Sequence, residues 1–143
     1  MRALLDVNVL ISLLDQAHPH HQSAMSWLKA QIRHGWASCP ITQNGCMRIM
    51  SQASYPGARS VSQIAERLRG ALAHSAHEFW PEDVSLLDPG KIDLTRVHGA
   101  RQVTDTYLLA LAVRHGGRLV TFDAGIALAA VSGASSRHLV RLV

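Results

Sequence analysis

The chain has 143 residues, 48% hydrophobic and 17% charged, which suits one compact domain with a sizeable core. Its 14 Lys+Arg against 10 Asp+Glu give a formal charge of +4, too few charges in all for a disordered chain. No apolar run reaches the roughly 18 residues that span a bilayer, and two cysteines, Cys39 and Cys46, exclude a disulfide scaffold or four-cysteine zinc site and suit a reducing cytoplasm.

Residues 2–6, Arg-Ala-Leu-Leu-Asp, form a short apolar run ending in an acid. That is the pattern of a buried parallel strand, not of a secretory leader. Residues 7–14 read as a short helix. His18, His20 and His21 then cluster, as a polar helix start or, alternatively, a metal site. Residues 19–34 place Ala24, Trp27, Leu28 and Ile32 at helical spacing. Trp36–Cys39 predicts a strand, and Pro40 opens a helix running to about Met50.

After a turn at Tyr55-Pro56-Gly57, residues 60–76 predict a helix with Val61, Ile64, Leu68 and Leu72 on one stripe. Glu78–Val84 is a weaker strand, because it holds Pro81 and three acids. Thr104–His115 predicts a helix with Val103-Thr104-Asp105 as its polar start and Gly116-Gly117 as its stop. Arg118–Thr121 reads as a buried strand with Phe122-Asp123 at its tip. Ala124–Ala130 predicts a short helix and His138–Val143 a last strand. The alternation predicts one α/β domain over residues 1–143 with a mainly parallel sheet. In such sheets ligands bind outside the carboxyl ends of the strands.

The ten acids are few enough for each position to inform. Asp6 ends the first strand, Asp123 follows the penultimate strand, and Asp105 stands in the first turn of the helix before it. Three carboxylates meeting on one edge repel, and a divalent cation relieves that repulsion. Mg²⁺ and Mn²⁺ prefer such oxygens and leave positions for phosphate and water. Blander readings stand beside this one: Asp6 as a helix cap, Asp105 as first-turn charge, Asp123 as a turn residue. The other acids, Asp15, Glu66, Glu78, Glu82, Asp83, Asp88 and Asp93, read as ordinary loop or surface charges.

Four segments in order resemble the PIN-domain family, and within it the VapC-type toxins of bacterial toxin–antitoxin pairs. They are Leu4–Ile11 (LLDVNVLI), Cys39–Ile49 (CPITQNGCMRI), Val103–Ala112 (VTDTYLLALA) and Gly117–Asp123 (GRLVTFD). The resemblance implies a three-layer α/β/α fold and a Mg²⁺- or Mn²⁺-dependent endoribonuclease. It implies a homodimer restrained by a VapB-type antitoxin. It assigns Asp6, Asp105 and Asp123 as metal ligands, with Asn8 and Thr121 as polar support. One position departs from the pattern. Where this branch commonly has Glu after Thr42, the chain has Gln43, inside a gap of 50 residues without any acid. A catalytic role for Gln43 is then limited to its amide, which accepts hydrogen bonds but supplies no charge. The expectation is weaker metal binding, especially of a second ion.

The basic excess suits a polyanion, since phosphate contacts dominate nucleic-acid affinity. Arg48, Arg101 and Arg114, with Arg59, Arg67 and Arg69, are the candidates for an RNA path, although any single Arg is also an ordinary surface residue. Trp27, Trp36 and Trp80 read as core or interface rather than base-stacking platforms. The helices at 7–14 and 60–76 suit a partner groove or simple core packing alike. Two other functions compete with the nuclease. One is a PIN domain that binds RNA or antitoxin without cutting, because Gln43 replaces an acid. The other is a haloacid-dehalogenase-type phosphatase, which needs an acid two residues after Asp6, where Asn8 stands.

Overall fold

Leu4 and Leu5 project to opposite faces of the first strand, and both are fully buried. A strand covered on both faces belongs in the middle of a layered α/β domain. A computed structural model describes residues 1–142 of the chain. Strand β1 (Ala3–Leu5) lies at the centre of a five-stranded sheet with β2 (Trp36–Ser38), β3 (His77–Phe79), β4 (Arg118–Thr121) and β5 (Leu139–Arg141). The order is β3-β2-β1-β4-β5 and every pairing is parallel. Ala3 is opposite Trp36 on one side and Arg118 on the other, and Leu5 is opposite Val120.

The period-two alternation of the strands divides the core. Leu5, Trp36 and Val120 face one cluster, which holds Val9, Leu10, Ile11 and Leu14 of α1 (Val7–Leu14), Ala24 of α2 (His21–Gln31), Cys46 and Met50 of α3 (Pro40–Met50), and Ile64 and Leu68 of α4 (Val61–Leu72). Leu4, Ala37 and Leu119 face the other, where Leu108–Ala112 of α5 (Arg101–Arg114) packs with Trp80, Ile92 and Val131. The chain thus has the three-layer α/β/α arrangement. Trp36 and Trp80 are core residues; Trp27 is half-buried beneath the Arg118 guanidinium, 5.2 Å from its ring centroid. Among the described residues no helix is long and apolar enough to cross a membrane.

Several boundaries differ from the sequence expectation. Helix α2 starts at His21 and gives way to a 3-10 turn at Ile32–His34. Helix α4 ends at Leu72, and β3 begins at His77 and stops before Pro81, which has no amide hydrogen for a ladder. Helix α5 begins three residues earlier than expected, at Arg101, so Asp105 is in its second turn and not its first. No helix forms over 124–130. The chain there is irregular with a 3-10 turn at Leu128–Ala130, because Ile92 and Val131 form an antiparallel bridge and the Ala130 carbonyl accepts from Asp93 N. The last strand is Leu139–Arg141; Val143 of the predicted strand lies outside the described residues. The histidine cluster is a polar turn: His18 Nδ1 accepts from His20 N, and His21 Nδ1 faces the Ser12 carbonyl.

The stop of α5 follows from its glycines. Gly116 has φ +67°, and the amides of Gly116 and Gly117 return to the carbonyls of Val113 and Ala112. Gly117 then enters β4 so tightly that a Cβ would lie 2.6 Å from the Arg2 carbonyl oxygen. This close approach fixes where β4 starts, and hence where Asp123 emerges.

Candidate functional site

Parallel strands β1 and β4 end side by side, and their next residues deliver carboxylates to one cleft. Asp6 follows β1, is buried, and caps α1 by accepting from Val7 N at 2.7 Å. Its other oxygen accepts from Thr121 Oγ1 at 2.8 Å. The same Thr121 oxygen accepts from Asp123 N at 3.0 Å, so one buried hydroxyl ties the two acids together. Asp123 is exposed and accepts from Gly125 N at 2.8 Å. Gln102 Nε2 donates to the Gly125 carbonyl, which fastens this loop to the first turn of α5.

A cleft of about 640 Å³ takes in Asp6, Asn8, Asn44, Arg48, Arg101, Thr104, Asp105 and Asp123. Asp6, Asp105 and Asp123 therefore share one cavity, as does Asn8, while Thr121 supports it from below. The electrostatics match their proximity. Burial raises the Asp105 carboxyl to about 7, with further push from the charges of Asp6 and Asp123. Burial also raises Asp6, against the opposing hydrogen bonds from Thr121 and Val7 N. Among the described residues, however, no three His, Cys, Asp or Glu side chains are drawn together closely enough to grip one ion. The donor chemistry nonetheless fits a hard divalent cation: all three groups are carboxylates, and Asp105 is pushed up by neighbours whose charge a cation would neutralise.

The basic candidates separate. Arg48 and Arg101 line the cleft beside the acids. Arg114 lies at the far end of α5, paired with Asp83 at 3.7 Å. Arg59, Arg67 and Arg69 line a separate depression along α4, and Arg67 Nε donates to the Leu14 carbonyl at 2.6 Å.

Gln43 is not brought to the cleft. Its amide Nε2 donates to Ser38 Oγ at 2.9 Å. The residues of α3 that line the cleft are Ile41, Asn44, Gly45, Arg48 and Ile49, one face of a helix, with Gln43 on nearly the opposite face. None is acidic, so α3 brings no carboxylate to the site. Gly45 allows the close approach of α3 to α1, because a Cβ there would lie 2.8 Å from Val7 Cγ2. Thr104 and Asn44 were not singled out from sequence; Thr104 adjoins Asp105, and Asn44 follows from the spacing of Ile41 and Arg48. Glu82, read as an ordinary loop charge, instead accepts from Ile41 N at 2.8 Å and caps the start of α3.

Residues 3–132 match the PIN domain family. The chain is 55% identical over 142 residues to Ribonuclease VapC44 of Mycobacterium tuberculosis, covering 99% of this chain and 100% of that protein. It is 45% identical over 134 residues to Ribonuclease VapC39 of the same species, covering 93% and 96%. Among solved structures, VapBC2 from Rickettsia felis bound to a DNA fragment from their promoter matches with a TM-score of 0.55 at 16% identity, over 86% of this chain and 89% of that one. That match is one of fold.

Proposed function

Because the chain belongs to the PIN-domain family, and within it to the VapC ribonucleases, we propose that it is a Mg²⁺- or Mn²⁺-dependent endoribonuclease, the toxin of a toxin–antitoxin pair. The observation that carries this reading is the shared cleft of Asp6, Asp105 and Asp123, flanked by Arg48 and Arg101. Asp6, Asp105 and Asp123 would hold the ion. Bound there, a divalent cation supplies Lewis acidity and charge neutralisation for phosphodiester hydrolysis.

The protein's own groups do the rest. Thr121 and Val7 N hold the Asp6 carboxylate in one orientation. Asp105, poised near neutrality, loses its proton when positive charge enters the cleft. Asn8 offers an amide at the mouth, and Arg48 and Arg101 seat the anionic backbone of RNA against the acids.

A VapB-type antitoxin is the proposed restraint. An apolar groove of about 400 Å³ between α1, α2 and α4, lined by Leu10, Leu14, Leu28 and Ala71, supports a partner helix there. A homodimer and a cytoplasmic location belong to the same reading. The binding-module alternative keeps one observation in its favour, that α3 adds no acid to the cleft.

The test is cleavage of several RNAs by the chain separated from any antitoxin, with Mg²⁺, Mn²⁺ or EDTA. The nuclease reading expects metal-dependent cleavage that Asp6→Asn abolishes. Binding of RNA without cleavage in either metal would establish the module instead.

A further inference from the structure

Gln102, in the first turn of α5, has both ends of its side-chain amide committed. Its Oε1 accepts from His98 N at 2.7 Å, and its Nε2 donates to the Gly125 carbonyl at 2.8 Å. Chemistry fixes this orientation, because a backbone N–H only donates and a carbonyl only accepts. The other side of the same glycine meets a carboxylate: Gly125 N donates to Asp123 Oδ1 at 2.8 Å. One side chain of α5 thus reaches Asp123 through a single residue.

The helix that carries Gln102 also carries Asp105, less than one turn further on. Arg101, Thr104 and Asp105 line the acidic cleft, and Gln102 is not among its lining residues. Helix α5 therefore presents one acid to the cleft directly and grips the loop of a second. Asp123 depends on that grip. It is exposed beyond the end of β4, and the chain after it is irregular. Thr121 Oγ1 accepts from Asp123 N at 3.0 Å, which holds the backbone of Asp123, whereas its carboxylate is held by Gly125 N. A Cβ on Gly125 would lie 3.3 Å from Asp123 Oδ1, so even one methyl group there presses on the carboxylate.

We propose that Gln102 is a positioning residue for the metal site, acting on Asp123 through Gly125. The inference rests on the reading of Asp6, Asp105 and Asp123 as ligands of one divalent cation. By tying the Asp123 loop to α5, Gln102 sets the separation of Asp123 from Asp105. Without that tie, repulsion from the other two acids drives the Asp123 carboxylate toward solvent. An incoming ion then meets two ordered acids rather than three. The hydrogen bond from Gly125 N occupies one oxygen of Asp123 and leaves the other for the cation. Outer hydrogen bonds of this kind hold a ligating carboxylate in the orientation the ion needs, and their loss lowers metal affinity.

The experiment is calorimetric titration of the full chain with Mn²⁺ alone, without RNA, so that no cleavage is needed. Wild type and Asp6→Asn come first. Absent binding, or binding that Asp6→Asn leaves untouched, refutes the metal site itself and removes the basis of this inference. With the site established, Gln102→Ala, which keeps a good helix former in α5, is expected to weaken Mn²⁺ binding about tenfold. In the Asp123→Asn background the same substitution should change affinity by less than about twofold, because the carboxylate it positions is gone. Where Asp123→Asn binds too weakly to titrate, Gly125→Ala takes its place. It disturbs the same carboxylate from the other side, so Gln102→Ala and Gly125→Ala together should cost less than the product of their separate effects. An unchanged affinity in Gln102→Ala overturns the positioning role. So does an equal loss with and without the Asp123 carboxylate, or a full product in the double variant, since Gln102 would then act on α5 in general and not on Asp123.

Discussion

Replacing Asp105 by Asn removes one of three mutually repelling carboxylates. In the metal-free protein the carboxyl of Asp105 is raised from its ordinary 3.8 to about 7, first by burial and then by Asp6 and Asp123. A folded-state value above the unfolded one means that the contribution to stability is fully present below about pH 4 and is lost as pH rises through about 7. The displacement of about three pH units corresponds to roughly 4 kcal/mol at full strength. Asp105 is only partly buried, and solvent screening reduces this to about 1–2 kcal/mol. Urea unfolding in EDTA at about pH 4 and about pH 8 measures it. The wild type should lose about 1–2 kcal/mol more than Asp105→Asn between the two pH values. Mn²⁺ at about 100 times its Kd should return about 2.7 kcal/mol to the wild type at pH 8 and far less to the variant. Parallel pH profiles for the two proteins would show that the three acids do not interact as described.

Other substitutions test the scaffold and the RNA path. Gly117→Ala puts a Cβ 2.5 Å from Trp80 Cη2 and 2.6 Å from the Arg2 carbonyl, and should cost about 3 kcal/mol in urea unfolding; a neutral result would show that β4 can shift. Tyr55→Phe removes the hydroxyl that donates to Asp15 and holds its carboxyl low. That contribution is present above about pH 4 and is lost as pH falls through the depressed value, so the variant should be weaker by about 0.5–1 kcal/mol at pH 7 and match the wild type in acid. Arg48→Ala and Arg101→Ala should each weaken RNA binding and lower its salt slope by about one. Arg114→Ala, far from the cleft and paired with Asp83, should leave both unchanged in a salt-titrated binding assay.

The elements that deliver Asp6 and Asp123 were legible because they are short, apolar and end in an acid. Burial on both faces of β1 writes itself into the sequence as an unbroken apolar run. The start of α5 was not legible: Ala100 offers no side-chain cap, and Thr104 imitates one. The segment after Asp123 is rich in alanine, but pairing of Ile92 with Val131 overrides its helical propensity. The placement of Gln43 was hidden for a different reason. Its neighbours in sequence reach the cleft, but helical geometry turns position 43 toward Ser38. The spacing of Ile41, Asn44 and Arg48 contains that information once the helix is drawn as a wheel. Glu82 was illegible because its partner, Ile41 N, lies 41 residues away in the chain.

The central claim is that Asp6, Asp105 and Asp123 form one divalent-cation site. Anomalous diffraction from crystals soaked in Mn²⁺ tests it most directly. The account predicts a Mn²⁺ peak coordinated by these three carboxylates, absent from crystals of Asp6→Asn. A Mn²⁺ peak elsewhere on the protein, with none between these acids, would contradict it.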